Sequence, residues 1–450
     1  VTLLVLLPIS SSAQDSHYWS HQYGARATLL GGAVIGSTED LSSVYYDPGG
    51  LAMIENLKVV VAARVIESQK YTLTTGLGQN LELSNERQNP VPTLVAGVIP
   101  FKWLGKNRLA YSLLVRQKAK IELKGLRIES RDVIQRTPGM ESFVGSALLA
   151  EDLTEVWGGL SWAYKIRKNM GIGITQFVAY RKQSAGFDLT AQALTSTNEL
   201  AVTIQESDYD YNHYRMLWKA GLSIEGDNLD LGATVTTPSI GLFGSGSLGT
   251  NTTVTGQDID GDGNLDSELT SGFSDGLDSE YKSPFSVAVG GAYTWNRSTF
   301  HASVEWFDDI GEFNVVGPES FVSQSTGETV SSVVTNAADD VTNYALGLAH
   351  KFSSVTTGYA SFTSDFTTFD PDAGTNLSIT NWDIYHITGG VSTRIRKSLI
   401  TLGFGYSYGS EDARRPIDFT SASESNRMIG IDSSGRFKYR GYRIIVGLSL

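Results

Sequence analysis

The chain has 450 residues, Lys+Arg 35 against Asp+Glu 48, a formal net charge of -13 and no cysteine. That balance argues against nucleic acid as a partner, and the missing thiols exclude disulfide bracing and cysteine catalysis. Hydrophobic residues make up 41%, yet none of the runs reaches the ~18 apolar residues of a membrane-spanning helix. A membrane β-barrel escapes that test, because alternation halves the local hydropathy. The 47 glycines suit strands that bend around a crowded lumen, and Tyr 20, Phe 18 and Trp 8 suit aromatic girdles at two interfaces.

Val1 to Ile9 form a short apolar core, followed by Ser10-Ser11-Ser12-Ala13-Gln14. Residues 1–13 are expected to be the remnant of a signal peptide cut after Ala13, with the mature chain starting at Gln14. Residues 14–55 do not read as strand. Ser37-Thr38-Glu39-Asp40 has the form of a capping box before a helix over 41–46, and Asp47-Pro48 supplies a cap and an N1 proline for a second short helix through Met53. Gly31-Gly32 and Gly49-Gly50 break these pieces into a folded-back segment. Leu29, Leu30, Val34, Ile35, Leu41, Val44, Leu51, Met53 and Ile54 need shelter from water, and a barrel lumen is the nearest place that offers it. The segment is expected to be a plug.

Residues 56–450 read as strands. The candidates are 56–68, 92–103, 108–123, 153–168, 170–185, 211–225, 228–240, 283–295, 298–310, 341–352, 355–366, 382–396, 399–410 and 437–450. Each has roughly ten to fifteen residues, near the length that a tilted membrane strand requires. Their connections alternate long and short, so tight turns gather on one rim and long loops on the other. The expected fold is all-β: a 14-stranded antiparallel transmembrane β-barrel with a small N-terminal helical hatch in its lumen, both termini periplasmic.

Alternation assigns inside and outside. In 211–225, Tyr214, Met216, Trp218, Leu222 and Ile224 share the lipid face and leave His213, Arg215, Lys219 and Ser223 in the lumen. In 399–410, Ile400, Leu402, Phe404, Tyr406 and Tyr408 face outward. Tyr442, Ile444, Val446, Leu448 and Leu450 do the same on the last strand, which is expected to close the barrel against the first. By the same count Arg64, Arg116, Glu155, Arg181, Glu305, His386 and Arg443 point inward. Two readings stand: an ion-pair network that satisfies buried charge, or cationic anchors for a ligand carboxylate at Arg64, Arg116, Arg181, Arg215, Lys219 and Arg443. Leu29, Leu30, Val34 and Ile35 would add apolar ligand contacts. No nucleophile–base arrangement, phosphate loop or histidine cluster stands out, so no enzyme activity is expected.

The connection 241–282 carries eight acids against the single base Lys282. Within it Asp258, Asp260, Asp262, Asn264 and Asp266 occupy alternate positions of a D-x-D-x-D-G calcium loop, with Gly263 at the sharp turn. The twelfth position of that loop, 258–269, is Leu269 rather than a bidentate carboxylate. A structural Ca2+ and a solvated acidic loop are both open.

Gly24-Ala25-Arg26-Ala27, Gly31-Gly32-Ala33 and Tyr45-Tyr46-Asp47-Pro48-Gly49-Gly50-Leu51-Ala52 resemble the hatch signature of the FadL/TodX family of outer-membrane transporters for hydrophobic compounds. The likeness implies hatch or gating roles for Gly24, Arg26, Gly31, Gly32, Tyr46, Asp47, Pro48 and Leu51. It also implies passive import of long-chain fatty acids or aromatic hydrocarbons in contact with outer-membrane lipid and lipopolysaccharide, through a lateral opening and without a cofactor. Asp47 and Gly49 stand where the family usually has Asn and Ala. A second branch of the same family, PorV-like barrels, implies a different role: a scaffold that holds secretion or surface proteins.

Overall fold

The computed structural model describes residues 16–54 and 60–449, apart from 62–63, 93, 101–104, 138, 371–372, 374–380, 397, 413–416 and 431–434. The expected signal remnant, the start at Gln14 and Leu450 lie outside the described residues.

Fourteen staves form the wall. The first is β1 (Val60–Val61) with β2 (Arg64–Thr74), and the second is β3 (Leu83–Pro92) with β4 (Leu94–Val98). β5 (Asn107–Arg131), β6 (Glu141–Arg167), β7 (Met170–Leu194), β8 (Leu200–Ile224) and β9 (Leu229–Thr236) follow. A hairpin of β10 (Ile240–Gln257) and β11 (Asp266–Asp278) precedes β12 (Ser286–Trp295) and β13 (Ser298–Phe307). A second hairpin, β14 (Ile310–Val322) and β15 (Thr329–Ala338), precedes β16 (Val341–Lys351), β17 (Thr356–Asp365), β18 (Ile384–Ile395), β19 (Ser398–Asp412) and β20 (Arg436–Ser449). Neighbouring staves pair antiparallel, and β2 pairs with β20 from Arg64↔Val446 to Thr74↔Arg436, which closes the barrel. Closure by the last strand against the first is the expected arrangement.

The alternation is realised as read. Tyr442, Ile444, Val446 and Leu448 are exposed on the outer face of β20, while Arg443 and Ile445 are buried inside. Leu402 and Phe404 continue the apolar surface on β19, as do Leu346 on β16, Phe300 and Val304 on β13 and Val289 on β12. Such a belt of lipid-facing side chains around a polar interior is the membrane-barrel pattern.

Two expectations about the long-loop rim change. The connections after residues 123 and 185 are not loops there, because β5 and β7 each run for 25 residues, well beyond the ~10 that cross a bilayer. The connections 241–282 and 311–340 are also largely strand. β10 continues the ladder of β8 from Met216↔Ile240 to Val202↔Thr255, while β9 pairs with the lower part of β8, so one long stave supports two partners in succession. The upper barrel is filled by its own apolar core, in which Phe419 and Met428 of the 413–435 connection pack with Leu77, Ile134, Phe143 and Trp382.

Candidate functional site: the hatch and the lumen cavity

Residues 16–54 lie inside the barrel. The strap 16–23 is held by the wall: Trp19 N and Ser20 Oγ each donate to Asp365 at 2.8 Å, and Trp19 Nε1 donates to Glu305 at 2.8 Å. Arg443 donates to Ser20 O at 2.6 Å and to Gln22 Oε1 at 3.0 Å, while Tyr23 OH donates to Val115 O at 3.1 Å. Ser16, the first described residue, accepts at its carbonyl from Thr368 N beyond the long-loop end of β17.

The hatch then folds as α1 (Ala25–Leu29), α2 (Ser43–Tyr46) and a 3-10 turn, Pro48–Ala52. Gly24 at φ 89, Gly31 at φ 62 and Gly32 at φ 83 sit where a side chain would be strained, which accounts for the glycines of the motif. Arg26 ties the hatch together, donating to Ser37 O at 2.8 Å and pairing with Glu39 at 3.0 Å. Tyr46 OH accepts from Tyr23 N at 3.0 Å, and Leu51 is fully buried. The capping box expected at 37–40 does not form; Asp40 accepts from Ser42 N instead, and α2 starts only at Ser43. α1 was not read as a helix from the sequence. The Asp47–Pro48 cap does form: Asp47 Oδ1 accepts from Gly49 N at 2.9 Å with Pro48 at N1. Its other oxygen, Oδ2, is buried without a hydrogen-bond partner.

The hatch fits because the wall has glycine where it touches. A Cβ on Gly49 would lie 2.7 Å from Gly171 O on β7 and 2.8 Å from Gly221 O on β8, and one on Gly36 would overlap the Gly232 backbone on β9. Leu30 faces Gly347, and Leu29 faces Gly390 and Gly403, so these two leucines seat the hatch on the wall. Val34 joins the hatch core with Leu41 and Val44, and the Ile35 backbone N–H donates to Ser303 Oγ at 3.2 Å.

Above the hatch a cavity of about 40 Å³ is bounded by Tyr18, Tyr45, Arg116, Trp157, Lys219 and Tyr281. Most inward charges around it are matched. Glu155 takes Arg181 at 3.1 Å and Arg215 at 2.6 Å, Glu305 takes Lys219 at 3.4 Å, and Arg443 pairs with Glu67 at 2.9 Å. Arg116 differs. A bulge between Val115 and Gln117 turns both Arg116 and Gln117 inward, and both are buried. Among the described residues no carboxylate lies within ion-pair distance of Arg116, and its Nη1 has no hydrogen-bond partner. Its guanidinium faces Trp157, Tyr45 and Tyr18 at 5.5, 5.9 and 6.0 Å, an aromatic cradle that tolerates a cation. The side chain of Arg64 lies outside the described residues.

In the acidic connection, carboxylate oxygens of Asp258, Asp260 and Asp262 lie within 4.8 Å of one another. Asp258 accepts from Gly261 N at 2.8 Å and Gly263 N at 2.9 Å, with those glycines at φ 77 and φ 90. Asn264 donates from backbone and side chain to Asp262, holding that carboxyl below its usual range. Asp266 turns back to Ile259 N at 2.7 Å, and Glu268 pairs with Arg427 at 3.0 Å.

Sequence reasoning missed Tyr18, Trp19, Glu67 and Tyr281. Glu67 was missed because counting from an inward Arg64 puts it on the outer face, whereas Glu67 is buried and its neighbour Ile66 is exposed. The strap residues carried a weak signal, the aromatic density of His17-Tyr18-Trp19 in a segment without strand alternation.

No family model and no curated protein matches the sequence. Solved structures do. The Pseudomonas putida toluene transporter TodX is 14% identical over 95% of this chain and 98% of its own, at a TM-score of 0.53. This chain has the FadL-type fold. A Pseudomonas aeruginosa FadL homologue is 13% identical over 96% of this chain and 99% of its own, TM-score 0.54, and the Ralstonia pickettii toluene transporter TbuX is 12% identical over 95% and 97%, TM-score 0.52. The FadL-type fold thus accounts for hatch and wall together, since the likeness spans nearly the whole of each chain.

Proposed function

We propose that this FadL-type barrel lies in a bacterial outer membrane, long loops outward, and passively imports hydrophobic small molecules such as long-chain fatty acids or aromatic hydrocarbons. The observation that carries the reading is Arg116: a buried cation without a carboxylate partner, in an aromatic cavity directly above the hatch. An acyl or aromatic body would lie among the cavity's rings, and a carboxylate would satisfy the guanidinium. The names of TodX and TbuX, toluene transporters, support the same solute class.

A lateral route is supported by the wall. The β4–β5 ladder stops at Leu94↔Leu114, and among the described residues none of the ladders joins β3 to β5 above it. The Arg87–Glu122 pair, at 2.6 Å, spans that seam instead of backbone bonds. Arg116 lies at its foot, so a ligand released sideways would leave between the second and third staves without crossing the polar headgroups. The test is uptake of labelled fatty acid by cells carrying the intact barrel, the barrel lacking residues 24–52, or none. Equal uptake in cells without the barrel overturns the reading.

A second reading, a PorV-like scaffold for secretion or surface proteins, draws support from the two hairpins, whose apolar core of Leu248, Tyr281, Phe313, Val316 and Val334 makes a firm platform on the long-loop side. Lipid or detergent co-purified in the lumen favours import, and a co-purified secretion partner favours the scaffold. We also propose a structural Ca2+ at Asp258, Asp260, Asp262, Asn264 and Asp266, on the strength of the spacing and the converging carboxylates.

A further inference from the structure

Cations ring the outer wall just above its apolar belt, but unevenly. On β5 to β8 two of them are matched by acids, Lys120 at 2.6 Å from Asp152 and Lys182 at 3.9 Å from Asp210, while Lys118 stands opposite Thr154. On β2 and β20 three of them are not. Lys70 stands directly opposite Arg440 in the β2–β20 ladder, and Lys438 follows two residues further toward the long-loop rim. Among the described residues, none of these three makes an ion pair. On the far side of β20 their ladder partners are Tyr408 and Ser410, neither of them an acid. Glu86 lies across from Lys70 on β3 but accepts from Ser68 Oγ at 3.2 Å, and Arg436, the next outward cation, is already paired with Asp412 at 2.7 Å.

Like charges directly opposite each other in an antiparallel pair destabilise it. An external anion would offset that repulsion. Directly below the cations the surface turns apolar: Tyr442, Ile444, Phe404 and Ile66 are exposed, and the Tyr406 ring packs tilted against Tyr442 with centroids 5.3 Å apart. A headgroup anion above and hydrocarbon below are the two ends of one molecule. Arginine offers phosphate a planar pair of donors, and the two lysines add point charges.

We propose that Lys70, Lys438 and Arg440 form a docking site for the phosphate headgroup of an outer-leaflet phosphorylated lipid, whose acyl chains lie against Ile66, Ile444 and Phe404. The site shares only its membrane orientation with the proposed transport role. Nothing in it requires a solute to pass.

The test uses the full-length barrel in detergent, titrated with bis-phosphorylated lipid A or its dephosphorylated form and read by native mass spectrometry. The wild type is expected to hold the phosphorylated lipid at least about tenfold more tightly than the K70Q/K438Q/R440Q variant, and K120Q, which removes a matched cation, is expected to behave as wild type. The dephosphorylated lipid is expected to show no such difference. Equal retention by wild type and triple variant overturns the proposal, as does equal retention of the dephosphorylated lipid or equal occupancy by inorganic phosphate alone. R440Q, at an exposed position, carries the same comparison where the triple variant does not fold. Uptake measurements do not enter, so failure of the transport reading leaves this test intact.

Discussion

Arg116 and Asp47 are two buried charged residues, among those described, that each keep a side-chain atom without a hydrogen-bond partner. A buried guanidinium without a carboxylate is costly, and here three aromatic faces only partly replace the missing charge. R116Q is therefore expected to weaken binding of a long-chain carboxylate by about 1.5–3 kcal/mol, roughly tenfold to a hundredfold, and to leave the fatty alcohol of equal length nearly unchanged. Titration of both ligands into the purified barrel decides it; equal losses would assign Arg116 to packing alone. Asp47 makes a pH prediction. Burial pushes its carboxyl from the usual 3.8 up to about 7, against the Gly49 and Gly50 backbone N–H groups and Lys219, which pull it down. The docked hatch thus binds a proton that an unfolded hatch releases. The contribution to hatch stability is full below about pH 4 and is lost as pH rises through the folded value. Hydrogen exchange at the amides of 49–53 should show protection falling over that range, and D47N should flatten the dependence. How much of this was legible varies by residue. Alternation alone places Arg181, Arg215 and Arg443 in the lumen. It cannot show that Glu155 lies directly across from Arg181, because that depends on the register between two strands.

Among the elements, hatch and wall are matched backbone to backbone. Gly36 and Gly232 approach so closely that neither tolerates a Cβ without movement. G232V is expected to cost about 1–3 kcal/mol of hatch docking, and its readout is greater permeability to small polar solutes together with faster protease cleavage within 24–54. The barrel was legible because membrane strands keep strict two-residue alternation, whereas β10 was not: Gly244-Ser245-Gly246-Ser247 has no apolar face, and its ladder with β8 holds it in place. The hatch helices were half legible, since Asp47-Pro48 caps as read while α1 and α2 are four or five residues long and owe their shape to packing. The acidic loop makes its own prediction. If it holds calcium, saturating the protein at about 100 times Kd should add ~2.7 kcal/mol to its stability, raising the melting temperature, and D260N/D262N should abolish the rise. Calorimetry showing no heat of calcium binding would remove the proposed site.

At the scale of the whole molecule, closure and opening compete in one wall. Among the described residues backbone ladders couple the other neighbouring staves, including β2 to β20, and strands so paired leave little edge to yield. The exception is the seam between the second and third staves, where the ladder ends at Leu94↔Leu114 and the side chains of Arg87 and Glu122 continue the contact. A half-exposed ion pair of that kind contributes on the order of 1 kcal/mol, far less than a run of backbone bonds, so the wall is expected to part most easily here. The chain contains no cysteine, which makes the seam addressable: R87C/E122C would carry the only two thiols. Bridging them with a short cleavable bis-maleimide is expected to leave ligand binding at the Arg116 cavity unchanged and to cut uptake several-fold, with recovery once the linker is cleaved. Loss of binding together with uptake would mean that the bridge disturbs the cavity. Unchanged uptake would mean that the solute leaves downward past the hatch, and the same cells carrying G232V would then show faster uptake than wild type, because a loosened hatch opens that path and not the seam.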